Sequence, residues 1–177
     1  MSTCSKTFAL TASAVLAACA ASPERSPVGN FGRAASPQEV AAWDISIPPS
    51  GAGLPAGGAT AKEGRAVYEA KCASCHGMKG EGKPADPLVG GIGSLASNAP
   101  MRTVGSFWPY ATTLFDYTRR AMPLGNPMSL TDKEVYAVTA YVLHLNGIIS
   151  ESEEMNAKTL PQVKMPNRDG FVDWSKK

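Results

Sequence analysis

The chain has 177 residues, enough for one domain with a single core, and its 14 prolines and 17 glycines gather outside the periodic stretches. Seventeen basic residues stand against 15 acidic ones, a net charge of +2, which excludes the basic field that nucleic-acid binding requires. Of the four cysteines, Cys4 and Cys19 lie at the extreme N-terminus and the others share one motif, so no disulfide framework is expected.

Residues 1–20 hold Lys6 and then an apolar run from Phe8 to Ala18, too short to cross a bilayer, which reads as a secretory signal peptide. The run ends Leu16-Ala17-Ala18-Cys19, similar to a bacterial lipobox in which cleavage precedes Cys19 and that cysteine is lipidated. Ordinary cleavage at the small-x-small site Ala18-Cys19-Ala20 is the alternative. A free cysteine at a mature N-terminus would be an exposed reactive thiol, which favours lipidation. The expectation is an exported, periplasmic protein, tethered to the membrane if Cys19 carries lipid.

Residues 21–59 are rich in Pro, Gly, Ser and Ala and lack an apolar period, so they are expected to form a tether and then an extended docking arm. Trp43-Asp44-Ile45-Ser46-Ile47-Pro48 is the exception. Its large apolar groups are costly to leave in water, so this piece is expected either to dock on the domain or a partner, or to be a local cluster of no consequence.

Residues 60–147 read as the central domain. A first helix opens at Thr60, with Glu63 completing a capping box, and carries Val67, Tyr68 and Cys72 along one stripe. Gly64 inside it costs about 1 kcal/mol against alanine, which predicts close approach by another element. The candidate is a last helix with the same grammar: Thr131 and Glu134 as a second capping box, then Val135, Val138, Tyr141, Val142 and Leu145, stopped by Asn146-Gly147. Tyr141 is expected against Gly64.

Cys72-Ala73-Ser74-Cys75-His76 has the Cys-x-x-Cys-His form of a c-type haem attachment site. On a helix, two sulfurs and one imidazole at these spacings share a face. Cys72 and Cys75 would add to the haem vinyl groups as thioethers, with His76 as the axial iron ligand below the ring. A dithiol redox pair or half a zinc site are the plainer readings, but the chain has no second Cys pair and no thioredoxin-like strand pattern.

The Gly- and Pro-rich loop from Gly77 to Gly93 is expected to wrap the cofactor, with the Pro87 carbonyl accepting the second ring N–H of His76. Phe107-Trp108-Pro109-Tyr110 then precedes a helix from about Ala111 to Arg120. Trp108 and Tyr110 either donate hydrogen bonds to haem propionates or simply pack. For the second axial ligand, Met122 lies in a loop that Pro123 and Gly125 hold outside helical geometry; Met128 on the same loop is its rival. His144 is expected at the surface. Filling both axial positions favours electron transfer over catalysis, and a Met ligand raises the potential. Residues 148–177 are expected to lie across the surface as a tail anchored by Phe171 and Trp174.

From Thr60 to Gly147 the chain resembles class I cytochromes c, through the Gly64/Tyr68 helix, Cys72-x-x-Cys75-His76-Gly77, Pro87-Leu88, Met122-Pro123 and Ser129-Leu130-Thr131-Asp132. The resemblance implies an all-α fold, a small helical haem domain with irregular N- and C-terminal arms, and one covalently bound haem c. A narrower resemblance runs through Trp43-Asp44-Ile45, Gly53-Leu54-Pro55, the stretches 104–111 and 115–123, and Asn167-Arg168-Asp169-Gly170-Phe171. These look like the monohaem cytochrome subunits of bacterial sulfite and sulfur dehydrogenases, including the Sox-type cytochrome subunit. What this implies is an electron-transfer subunit, not itself an enzyme. Its donor would be a periplasmic molybdenum sulfite/sulfur dehydrogenase and its acceptor a downstream cytochrome or oxidase. It also supports Met122 by position. Lys71, Lys79, Lys83 and Arg102 would rim the haem edge, either steering an acidic partner or forming a solvated rim. The competing functions are a carrier for a different dehydrogenase, and a haem sensor or enzyme with an open sixth position.

Overall fold

The computed structural model describes residues 32–176; the expected signal peptide, Cys4 and Cys19 lie outside the described residues. The chain divides into two compact units, one ending at Asp44 and one running from Ile45.

In the first unit, helix α1 spans Pro37–Trp43, where an extended arm was expected. Its cause is local. Ser36 accepts the Glu39 N–H while Glu39 returns to the Ser36 N–H, Pro37 occupies the first turn with its φ already helical, and Arg33 pairs with the Glu39 carboxylate. None of its residues is buried, and Trp43 is 88% exposed. A capping box therefore starts this helix without an apolar stripe to announce it.

The second unit is built on α6, Asp132–Leu145, which is buried on every side from Val135 to Leu143. Strand β1 (Gly58–Thr60) leads straight into α2 (Ala61–Lys71), whose predicted Thr60–Glu63 capping box is present. Helix α2 crosses α6 where Gly64 sits. A Cβ there would overlap the Ala137 carbonyl and stand 2.9 Å from Tyr141 Cβ, so the missing side chain permits backbone contact. The predicted Tyr141 contact is there, but the Ala137 main chain is closer. Then come α3 (Ala73–His76), α4 (Val104–Phe107) and α5 (Ala111–Ala121). Helix α5 packs on another face of α6, with the Phe115 and Tyr136 rings 4.5 Å apart. Among the described residues no helix is long and apolar enough to cross a membrane.

Both expected arms supply parts of this unit. Ile47 is buried, and its N–H donates to the Asp116 carboxylate at 2.9 Å. Strand β2 (Glu154–Asn156) pairs antiparallel with β1, Ala59 opposite Met155, adding a two-stranded ribbon to an otherwise helical fold. The tail is anchored by Met155, Leu160, Val163 and Met165, all buried. Of the expected anchors, Phe171 is half-exposed but meets the Phe107 ring edge-on at 5.2 Å, and Trp174 is largely exposed. The difference has a physical reason: β2 covers one side of α6, so the apolar residues beside the strand are the ones withdrawn from water.

Candidate haem site

The motif straddles a break between two helices. Cys72 ends α2 with its N–H still donating to Tyr68 O at 2.8 Å, but at φ −125° and ψ −37° it turns the chain before α3. Within α3, Cys75 and His76 both bond back to the Cys72 carbonyl, at 3.1 and 3.0 Å. The three functional side chains are thus set by two short helices and the turn between them, where a single continuous helix was expected.

The following loop folds back onto the motif. Gly77 has φ +81°, and a Cβ there would run into the Glu81 carboxyl group. Only glycine suits both conditions. Gly82 N–H donates to the His76 carbonyl at 2.8 Å and Ala85 N–H to the Cys75 carbonyl at 2.9 Å. Tyr68 ties α2 to the same turn, its hydroxyl donating to Gly77 O at 2.9 Å. Burial pushes the Tyr68 phenol up to about 12, so it remains a donor at any physiological pH.

His76 Nδ1 lies 2.9 Å from the Asp86 carbonyl oxygen. A carbonyl can only accept, so Nδ1 carries the hydrogen and Nε2 keeps its lone pair for a metal. The acceptor is one residue earlier than the Pro87 carbonyl that the sequence suggested. Leu88 N–H donates to Gly80 O at 2.8 Å, and across the trans Pro87–Leu88 peptide the Pro87 carbonyl must point the opposite way. Pro87 thus shapes the loop without supplying the acceptor.

Met122 follows the last residue of α5 in extended backbone, its N–H donating to Thr118 O at 3.2 Å, and is half-buried. Its rival Met128 is 65% exposed. Trp108 is partly buried and meets Tyr117 edge-on at 5.7 Å. Tyr110 has the Arg168 guanidinium 4.4 Å above its ring. His144 is half-buried, with Nδ1 3.3 Å from the Ile149 carbonyl. Of the four expected rim cations, Lys71 is paired with Glu134 at 2.9 Å and Arg102 lies over Phe107, leaving Lys79 and Lys83 exposed.

Sequence reading missed two polar anchors. Asp116, nearly buried, holds Ile47 and also Arg120. Asn146 accepts from Gly90 N–H and donates to Leu88 O and Val142 O, pinning the loop beyond the motif to the end of α6. Asn146 had been read only as a helix stop. An amide there, one residue past the last helical position, was the available signal.

Both motif cysteines are unpaired thiols, so there is no dithiol bridge. Burial pushes the Cys72 thiol up to about 11. Among the described residues no three His, Cys, Asp or Glu side chains converge on one metal position. Two free thiols beside an imidazole with one free nitrogen fit covalent attachment of a haem and ligation of its iron by His76.

The family model for cytochrome c matches residues 61–146. A chain in the crystal structure of the sulfane dehydrogenase SoxCD from Paracoccus pantotrophus superposes with a TM-score of 0.77 at 39% identity, over 84% of this chain and 74% of that one. This chain belongs to the cytochrome c family. The cytochrome is a class I fold, and its cofactor is haem c. It is also 31% identical over 93 residues to a thiosulfate dehydrogenase of Stutzerimonas stutzeri (strain A1501), which is 50% of the cytochrome but 28% of that protein's length. The cytochrome is an electron carrier related to proteins named for sulfane and thiosulfate dehydrogenation.

Proposed function

We propose that the cytochrome accepts single electrons from a periplasmic molybdenum dehydrogenase acting on sulfite or a related sulfur species, and passes them to a downstream cytochrome or oxidase. The observation that carries this is the extent of the likeness to the sulfane dehydrogenase chain. It covers 84% of the cytochrome, whereas the family model stops at 61–146. Arms kept alongside a haem domain argue for a shared docking arrangement.

In this reading Cys72 and Cys75 would hold the haem, and His76 and Met122 would ligate its iron. Haem supplies one-electron redox chemistry. Everything else would be done by the chain: Asp86 O orients His76, the half-buried Met122 rather than the exposed Met128 would supply the second ligand, and Trp108 would keep water out. The exposed Lys79 and Lys83 would steer an acidic partner. In the same reading residues 1–20 direct export, and Cys19 anchors the mature protein by a lipid.

Mixing the oxidised cytochrome with a sulfite dehydrogenase and sulfite should reduce the haem on the timescale of turnover. No reduction, with the haem still reducible by dithionite, would reject the donor. Met122→Ala should abolish the thioether-to-iron band at the red end of the ferric spectrum and admit carbon monoxide; if Met128→Ala does so instead, the ligand assignment is wrong. Mass spectrometry of the mature N-terminus decides whether Cys19 is lipidated.

A further inference from the structure

The turn Phe107–Tyr110, between α4 and α5, carries an arginine on each of two rings. The Arg168 guanidinium carbon stands 4.4 Å from the Tyr110 centroid and that of Arg102 5.9 Å from the Phe107 centroid. The C-terminal tail is fastened to the turn beside Arg168. Asn167 Nδ2 donates to Phe107 O at 2.7 Å, and the Phe171 ring meets the Phe107 ring edge-on at 5.2 Å. Arg168 is therefore held at this turn from both sides along the tail.

Arg119 and Arg120 each meet an aspartate, and Arg65 meets Glu151. Neither Arg102 nor Arg168 makes an ion pair among the described residues. A guanidinium stacked on a ring keeps its in-plane N–H donors directed outward, in a fork that suits a carboxylate. Two such groups thus flank the turn that carries Trp108 and Tyr110, neither with an acidic partner among the described residues.

A haem attached at Cys72 and Cys75 turns its vinyl edge to α3 and its two propionate carboxylates to the opposite side. Helix α2, which leads into the motif, packs on Ala137 and Tyr141 of α6. Helix α5, which follows the turn, packs on Tyr136, a different face of α6. We propose that the Phe107–Tyr110 turn is the propionate cradle and that Arg168, brought by the C-terminal tail, pairs with a propionate and raises the reduction potential. This rests on the haem-site reading above. An unpaired propionate favours the more positive ferric state; neutralising it favours the ferrous state. Pairing also keeps the propionate ionised across the neutral range, so the potential of the native protein should be nearly flat there.

The test is a redox titration of the full-length holoprotein as a function of pH. Arg168→Gln should lower the midpoint potential and make it vary with pH between about 5 and 8. Arg168→Lys should restore most of the potential, and Lys164→Gln, a cation on the same tail, should leave both properties as they were. An unchanged potential and pH profile in Arg168→Gln would overturn the proposal. So would equal shifts in the Gln and Lys variants, which would mark a stacking role without charge. The thioether-to-iron band is recorded on every sample; its persistence in Arg168→Gln separates these outcomes from a failure of axial ligation.

Discussion

Gly64 shows how one missing side chain locks two helices together. An added Cβ meets the main chain of Ala137, which cannot rotate away as a side chain would. Gly64→Ala should therefore destabilise the protein by about 1–3 kcal/mol through overpacking, despite alanine's better helix propensity. Urea unfolding measures this, and a stabilised variant would refute the contact. Asp116 works through hydrogen bonds. Asp116→Ala strands the buried Ile47 N–H and should cost about 1–3 kcal/mol, whereas Asp116→Asn keeps an acceptor and gives up chiefly the half-exposed Arg120 pair, about 0–1 kcal/mol. Equal losses in the two variants would mean the N–H is not the dependent group.

Among the elements, α6 couples its own cap to α2. The Glu134 carboxylate is held down to about 2, first by the Lys71 ammonium and then by the Thr131 N–H and hydroxyl. A carboxyl group depressed in the folded state binds its proton more readily in the unfolded chain. The stability it contributes is therefore present above the unfolded value near 4.5 and is lost as pH falls from there toward about 2. Thermal melts should show Tm declining through that window, and Glu134→Gln should flatten the decline. A slope as steep in the variant would assign it to other carboxylates. Thr131→Ala, which removes only the cap, should cost about 1 kcal/mol at neutral pH. Element by element, the capping boxes of α2 and α6 were legible because they need only residues three apart. Helix α1 has the same box at Ser36 and Glu39 but was not legible as a helix, because a helix that buries nothing carries no apolar stripe.

On the scale of the whole molecule, the two ends of the chain complete the core between them. Strand β1 is zipped by β2, nearly a hundred positions later, and Ile149, Met155, Leu160, Val163 and Met165 lie buried in the core. Full burial of such a side chain is worth roughly 1.5–3 kcal/mol, and whole domains are stable by only about 5–15 kcal/mol. A chain ending at Gly147 should thus lose its cooperative thermal transition, although it contains Cys72, Cys75, His76 and Met122. A truncated protein that melts like the full chain would show the tail to be dispensable.

The sequence by itself determined the chemistry of this protein. Cys72, Cys75 and His76 are near neighbours whose spacing is meaningful before any folding, and the same holds for caps and helix stops. Tertiary structure alone decided which carbonyl faces His76, that Asp116 and Asn146 are anchors, that the tail is part of the core, and that Arg168 stands over Tyr110. Those choices depend on the direction of a peptide plane or on partners 56 to 98 positions apart. Composition and periodicity do not encode such distances; only the closing of the chain around α6 brings them together.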